Sequence, residues 1–400
     1  MSDTASAPAA KTVDFGLFDA DNHYYESPDA FTRFAEPEFA RRGVQWIEVR
    51  NKPRLMVNGK LNRFIPNPMF DPVARPGCLD DYFRGKTSGD DIRAAFGELE
   101  PISPSYRNRD ARLEVMDAQG MDGCFMFPTL GVGLEEALLG EIDLTHSVFR
   151  SFNRWVDDDW GFAYADRIYA APYIVWGDPD QTEAEVAWAI ERGARVLVMR
   201  ASPAQTPTGP ASPGDERFDG SWRRISEAGV CVAVHSGDAG YHKYAADWGE
   251  AGEMEAFRYS PFQGLTGAHR AVYDLCASLI CSHLFARFDN LRIATIESGS
   301  DWVPDLLARM KKSYRQIPGA YSADPVETFR KHFFISPYYE DDLRGLAGLI
   351  GADRVIMGSD FPHAEGLAVP AAFINDLDGF DDAEVLLIMR ENALGLSRPG

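Results

Sequence analysis

The sequence predicts a (β/α)8 TIM-type barrel, an α/β fold, with an inserted β-rich segment after its first strand. Three observations carry that expectation. Eight short apolar runs, at 16–21, 123–128, 168–175, 195–200, 230–235, 291–297, 333–336 and 354–360, alternate with helical patterns, and eight parallel strands close a sheet on itself. The first and last runs stop abruptly in carboxylate and imidazole, at Asp21-Asn22-His23 and at Ser359-Asp360 followed by His363. A closed barrel brings strand ends from both termini to one rim. The chain is also long enough, at 400 residues and 45% hydrophobic, to fill such a barrel with insertions to spare. An open doubly wound sheet is the alternative.

Taken in order, residues 1–13 are small, polar and Pro-containing and read as a disordered tail. The barrel domain then spans 14–398. Strand one leads into an insertion at 30–108, where 44–49 and 54–57 are strand-like. Asn58-Gly59 signals a hairpin that pairs 55–57 with a strand near 61–65. Phe64, Met69, Phe70, Tyr82 and Phe83 make the insertion apolar, as a lid or a subunit contact would be. Leu113 and Met116 share one face of the helix before strand two. After strand three, Asp180 is expected as an N-cap with Glu183 completing a capping box, and Gly193 as the stop. Trp222 and Ile225 mark a helix stopped by Gly229. Ser300 is expected to cap a helix carrying Val303, Leu306, Leu307 and Met310. Leu343, Leu346, Ala347 and Ile350 mark one more before Gly351.

The net charge of -21 argues against nucleic acid and anionic membranes, both of which need a basic surface. The five cysteines, at 78, 124, 231, 276 and 281, form no close pairs, which suits reduced thiols in a cytoplasmic protein. Cys276 and Cys281 read as core. No apolar run reaches the length of a membrane span.

The residues just past the strand ends carry the chemistry. Strand one offers Asp21, His23 and Glu26; strand alternation points Asp21 and His23 the same way. Strand five ends at His235, strand six at Glu297 and strand eight at Asp360. This oxygen-rich set with some nitrogen and no thiolate suits one or two divalent ions of zinc, iron or manganese. Glu26 is either a ligand or a partner orienting His23. Arg200, ending strand four, reads as a clamp for a substrate carboxylate or phosphate, or equally as a structural salt bridge. His283, shortly before strand six, is a candidate acid/base or ligand, and His363 could orient Asp360 or meet substrate. Tyr24 and Tyr25 are candidate substrate contacts.

Together these segments resemble the amidohydrolase-related family of metal-dependent hydrolases and decarboxylases. The resemblance runs over about residues 14–395. It rests on Asp21-x-His23-x-x-Glu26, Val234-His235-Ser236-Gly237, Glu297-Ser298-Gly299 with Trp302, the specific Gly358-Ser359-Asp360-x-Pro362-His363-x-Glu365-Gly366, and a closing Asn392-Ala393. It implies that His235 and Asp360 ligate metal, with Asp360 as base, and that Asp21-x-His23 stands where His-x-His is usual. Many members carry histidine where this chain has Glu297. That departure weighs against a decarboxylase-type acid/base histidine and leaves Glu297 as ligand or catalytic group. The expected activity is metal-dependent hydrolysis of an amide, ester, lactone or thioester of a bulky apolar or aromatic substrate. Non-oxidative decarboxylation of an aromatic or unsaturated acid is the alternative, and a non-enzymatic binding protein the third reading. A homodimer is expected.

Overall fold

A computed structural model describes residues 13–86, 92–250, 255–258 and 260–399; all but one residue of the expected tail lies outside them. Its strands are β1 (Leu17–Tyr24), β2 (Val44–Val49), β3 (Lys52–Val57), β4 (Lys60–Leu61), β5 (Met121–Pro128), β6 (Ile168–Ala170), β7 (Val196–Arg200), β8 (Ala204–Thr206), β9 (Gly209–Ala211), β10 (Cys231–His235), β11 (Arg292–Ile296) and β12 (Phe333–Ile335). The barrel strands pair in parallel in two arcs, β1-β5-β6 and β7-β10-β11-β12. All eight residues of β1 and all five of β7 and β10 are buried, as strands enclosed on both faces must be.

Two seams join the arcs. At the first, Tyr173 bridges to Val198. The expected strand 168–175 is broken there: β6 ends at Ala170, and Pro172 has no N–H to give a ladder, although its carbonyl still accepts from Val198 at 3.0 Å. The second seam is the eighth strand. Residues 355–361 form only single bridges, Val355 to Ile335 on one side and Phe361 to Asn22 on the other. Backbone bonds from Ala20 to Met357 and from Asp360 to Asp21, both 2.8 Å, complete the closure.

A buried side chain stands in for the missing ladder. The Asp19 carboxylate accepts from the backbone N–H of Ser359 at 2.9 Å, the Ser359 hydroxyl, the backbone N–H of Asp21 at 3.1 Å and the Asn22 amide at 2.9 Å. From the outer side, Arg112 donates to the Asn22 amide oxygen, to the His23 carbonyl at 2.9 Å and to the Ser105 carbonyl at 2.8 Å. Gly358 allows the close approach: a Cβ there would lie 2.6 Å from the Asp21 Cβ and from the Ser336 hydroxyl.

Helices Arg109–Ala118, Ile142–Asp159, Pro179–Glu191, Asp219–Ala228, Ala268–Cys281, Val303–Gln316 and Leu343–Ile350 lie between the strands. Met116, Trp222, Ile225, Val303, Leu306, Leu307, Met310, Leu343, Leu346 and Ile350 turn inward as expected. Gly229 caps its helix in the left-handed conformation, φ 60°. The expected cap Asp180 instead lies in the first turn. Asp178 caps, accepting from Gln181 at 3.0 Å, because Pro179 between them is suited to the first helical position. Ser300 does not cap either: its N–H and hydroxyl both donate to Asp341. All five cysteines are free thiols; Cys276 is buried, but Cys281, at its helix end, is exposed.

In the inserted segment, β2, β3 and β4 form an antiparallel meander. Asn58 and Gly59 both take positive φ, 49° and 73°, as the tight hairpin requires. The partner strand is only Lys60–Leu61 rather than the expected 61–65. Val44, Leu55, Val57, Phe70 and Leu79 are buried. Gly77 and Leu79 donate to the carbonyls of His363 and Ala364 at 3.0 and 2.8 Å, so the insertion holds the loop after the eighth strand.

Replacing Asp19 by alanine strands several buried donors. Asp19→Ala should lower stability by about 2–4 kcal/mol, at roughly 1–3 kcal/mol per unsatisfied buried group. Ser359→Ala, which keeps the backbone bond, should cost less. Urea unfolding midpoints measure both, and a wild-type midpoint for Asp19→Ala would contradict the clamp.

Candidate metal centre

Side chains from β1, β10, β11 and the eighth strand converge at the C-terminal rim. His23 Nε2 lies 3.2 Å from Asp21 Oδ1 and 3.2 Å from Asp360 Oδ1. His235 Nε2 lies 3.5 Å from Asp21 Oδ1 and 3.4 Å from Glu297 Oε2. Donor atoms of Asp21, His23 and His235 all fall within 4.8 Å of one another, as do those of His23, Asp360 and His363, and those of Glu297, Asp360 and Glu365.

These atoms suit a cation better than they suit each other. Asp21 Oδ1, His23 Nε2, His235 Nε2 and Asp360 Oδ1 are buried and have no hydrogen-bond partner, a costly condition for polar atoms unless something occupies the space between them. The tautomer of His235 follows from its neighbour. Its Nδ1 lies 2.7 Å from the Ser236 carbonyl, which only accepts, so the neutral ring carries its proton there and turns the Nε2 lone pair inward. The donor set of carboxylate and imidazole fits a divalent first-row ion.

The electrostatics agree. Burial pushes His23 down to about 3, helped by the neighbouring His363. Burial would raise Asp21, but the imidazoles of His23 and His235 outweigh it and hold the carboxyl below its usual range. Burial would likewise lower His235, but Asp21 and Glu297 raise it. Glu297 is pushed up by burial and by Asp360, and Asp360 by burial and by Glu365. The group therefore keeps protons that a divalent cation can displace.

A sequence profile described as Amidohydrolase matches residues 103–396. The chain belongs to the amidohydrolase family. A solved amidohydrolase from Mycobacterium avium subsp. paratuberculosis K-10 is 41% identical over 97% of this chain and 100% of its own, with a TM-score of 0.92. Two more distant structures share the fold. A 5-carboxyvanillate decarboxylase from Sphingomonas paucimobilis is 17% identical over 96% of this chain and 100% of its own, TM-score 0.60. A dihydroxybenzoic acid decarboxylase from Polaromonas sp. JS666, with bound manganese and the inhibitor 2-nitroresorcinol, is 14% identical over 96% and 97%, TM-score 0.59. No helix among the described residues of this amidohydrolase is long and apolar enough to cross a membrane.

Asp21, His23, His235, Glu297, Asp360 and His363 are thus brought together; several other expected site residues are not. Glu26 is buried away from the donor atoms. Its carboxylate accepts from the backbone N–H groups of Thr129, Leu130 and Gly131 at 2.9–3.1 Å, and burial pushes it up to about 7 against those donors. It shapes the loop after β5. Tyr24 points outward by strand alternation and stacks on Trp160 at 5.3 Å. Arg200 is buried but engaged by Glu135, Glu136 and the Asp238 carbonyl, which is the structural salt bridge. His283 is exposed and bonded to the Ser322 hydroxyl at 2.8 Å. It precedes β11, and residues before a barrel strand belong to the opposite end of the barrel. Tyr25 does border the site: it stacks on Phe70 at 4.4 Å and lies 5.7 Å from the His363 ring.

Sequence reasoning missed Asp19, Arg112, Thr129 and Glu365 as site builders. Alternation alone would have misplaced Asp19, because β1 shifts register between Asp19 and Asn22 and the Asp19 carboxylate meets the Asn22 amide instead. Arg112 and Thr129 carry no local signal.

Because Asp360 and Glu297 hold their protons to higher pH than ordinary carboxyls, cation binding must release protons and tighten as pH rises. Zn2+ titration calorimetry in buffers of different ionisation enthalpy should show about one proton or more released near pH 6, with Kd falling toward pH 8. His283→Ala should leave that titration unchanged. A pH-independent Kd would contradict the assignment.

Proposed function

We propose that this amidohydrolase is a metal-dependent hydrolase of a neutral carbonyl compound (an amide, ester, lactone or thioester) with an apolar or aromatic part. The observation that carries the proposal is the set of four buried, partnerless donor atoms on Asp21, His23, His235 and Asp360. A divalent ion held there lowers the pKa of water toward neutrality and polarises a carbonyl. Zinc, iron and manganese all suit the donors.

The chain's own residues supply the rest. Asp360, between His23 and His363, is placed to hold a proton and pass it to a leaving group. Glu297, with 24% of its side chain exposed, faces the solvent side and is the second proton-holding group. Tyr25 stacks on Phe70 and meets Tyr106 edge-on, making an aromatic wall beside His363 that suits an apolar or aromatic group. Segment 30–108 supplies part of that wall, which supports its reading as a lid; a homodimer contact there is the companion proposal.

Electrostatics favour a neutral substrate. Asp21, Glu297, Asp360 and Glu365 crowd the site, while the buried guanidinium groups of Arg112 and Arg200 are both spent on protein acceptors. A substrate carboxylate would find no side-chain cation there among these groups. Decarboxylation is the second reading, supported by the aromatic wall and by the names of the fold relatives, which act on hydroxybenzoate and carboxyvanillate acids.

Protein loaded with Mn2+ or Zn2+ and assayed in H218O separates the two. Hydrolysis of aryl esters, anilides or lactones should place one 18O in the acid product and release no carbon dioxide. Asp360→Ala and His235→Ala should abolish turnover and lower metal content. Release of carbon dioxide from hydroxybenzoates, with no turnover of the neutral panel, would overturn the hydrolase reading. Full turnover by metal-free protein would overturn both.

A further inference from the structure

His363 was expected to meet substrate or to steady Asp360, yet its hydrogen bonds point to another role. Its Nε2 lies 2.9 Å from the Thr129 hydroxyl. That hydroxyl has one proton, and it donates it to the Tyr24 carbonyl at 2.8 Å. Thr129 can therefore only accept from His363, so Nε2 carries the ring proton. The neutral ring is left with its lone pair on Nδ1.

Nδ1 is aimed into the site. It is buried without a hydrogen-bond partner, on a residue only 9% exposed, and it lies 2.6 Å from Asp360 Oδ1. The ring stacks on that of His23 with centroids 4.0 Å apart. The backbone enforces this placement. Leu367 donates to the Ser359 carbonyl at 2.8 Å, folding 360–366 back on itself. A Cβ on Gly366 would sit 2.5 Å from the Ser359 carbonyl oxygen and 2.7 Å from that of Asp360. From the other side, Gly77 holds the His363 carbonyl.

We propose that His363 is a further metal-binding side chain, with Nδ1 as donor atom and Thr129 as the positioning residue that fixes its tautomer. An imidazole that gives one N–H to a fixed acceptor and turns the other nitrogen to a cation is the usual arrangement of a ligand histidine, and His235 repeats it through the Ser236 carbonyl. His23, Asp360 and His363 make a second three-donor set sharing His23 with the first. The inference rests on the metal reading above, and extends it to a residue outside the strand-end positions.

Co2+ is the probe, with Kd read by chelator competition and coordination by the visible spectrum, on protein whose fold is checked by circular dichroism. His363→Ala should weaken Co2+ binding by roughly 10-fold or more and change the spectrum. Thr129→Val should weaken it by about 10-fold, the scale expected for losing a partner behind a ligand, and Thr129→Ser should restore it. In wild-type protein, the 15N resonance of His363 Nδ1 should shift on Zn2+ addition. If His235→Ala loses Co2+ while His363→Ala keeps wild-type Kd and spectrum, or if the Nδ1 resonance does not move, the inference falls and the metal reading survives. If His235→Ala also binds normally, the metal reading itself falls.

Discussion

The site depends on one buried carboxylate that binds no metal. Asp19 takes donors from Asp21, Asn22 and Ser359, and so fastens the last barrel segment to the first strand where a regular ladder is absent. Burial raises its pKa to about 6 even though Ser359 and Asn22 pull it down, a measure of how fully it is enclosed. With strand eight fixed there, Asp360 necessarily sits beside Asp21 and His23, contributed by the opposite end of the chain. Arg112 holds the same strand end from the helix side. The candidate metal rim and the closure of the barrel are therefore one structural problem with one solution.

That solution concentrates charge. Carboxyls from three strand ends and the following loop face imidazoles from two strand ends and that same loop, all largely withdrawn from water. Burial and neighbouring carboxylates keep protons on Asp360 and Glu297, while burial and the neighbouring His363 keep His23 neutral. A divalent ion held there would displace those protons and give the partnerless atoms of Asp21, His23, His235 and Asp360 a partner. The arginines that could have neutralised the cluster bind backbone carbonyls or Glu135 and Glu136 instead.

The legible parts were those encoded locally. Alternation along strand one correctly put Asp21 and His23 together, and the motif around Asp360 marked the eighth strand end. The same alternation turns Tyr24 outward onto Trp160. Strand polarity likewise argued against His283, since a residue preceding a strand lies at the far end of the barrel from one that follows it. Other placements had no local signal. Glu26 looked like a ligand because it follows His23, but its acceptors are satisfied by amides of 129–131 more than a hundred positions along the chain. Arg200 is claimed by Glu135 and Glu136, and His363 is oriented by Thr129, pairings that only the folded barrel creates. Pro172 broke the third strand by its missing donor, a signal visible in the sequence.

The most direct test of the central claim is an anomalous-difference map from crystals grown with Mn2+. The account predicts a peak enclosed by Asp21, His23, His235 and Asp360, with their now partnerless atoms turned onto it. A peak elsewhere on the protein, or none at this rim with those side chains paired to one another, would contradict it.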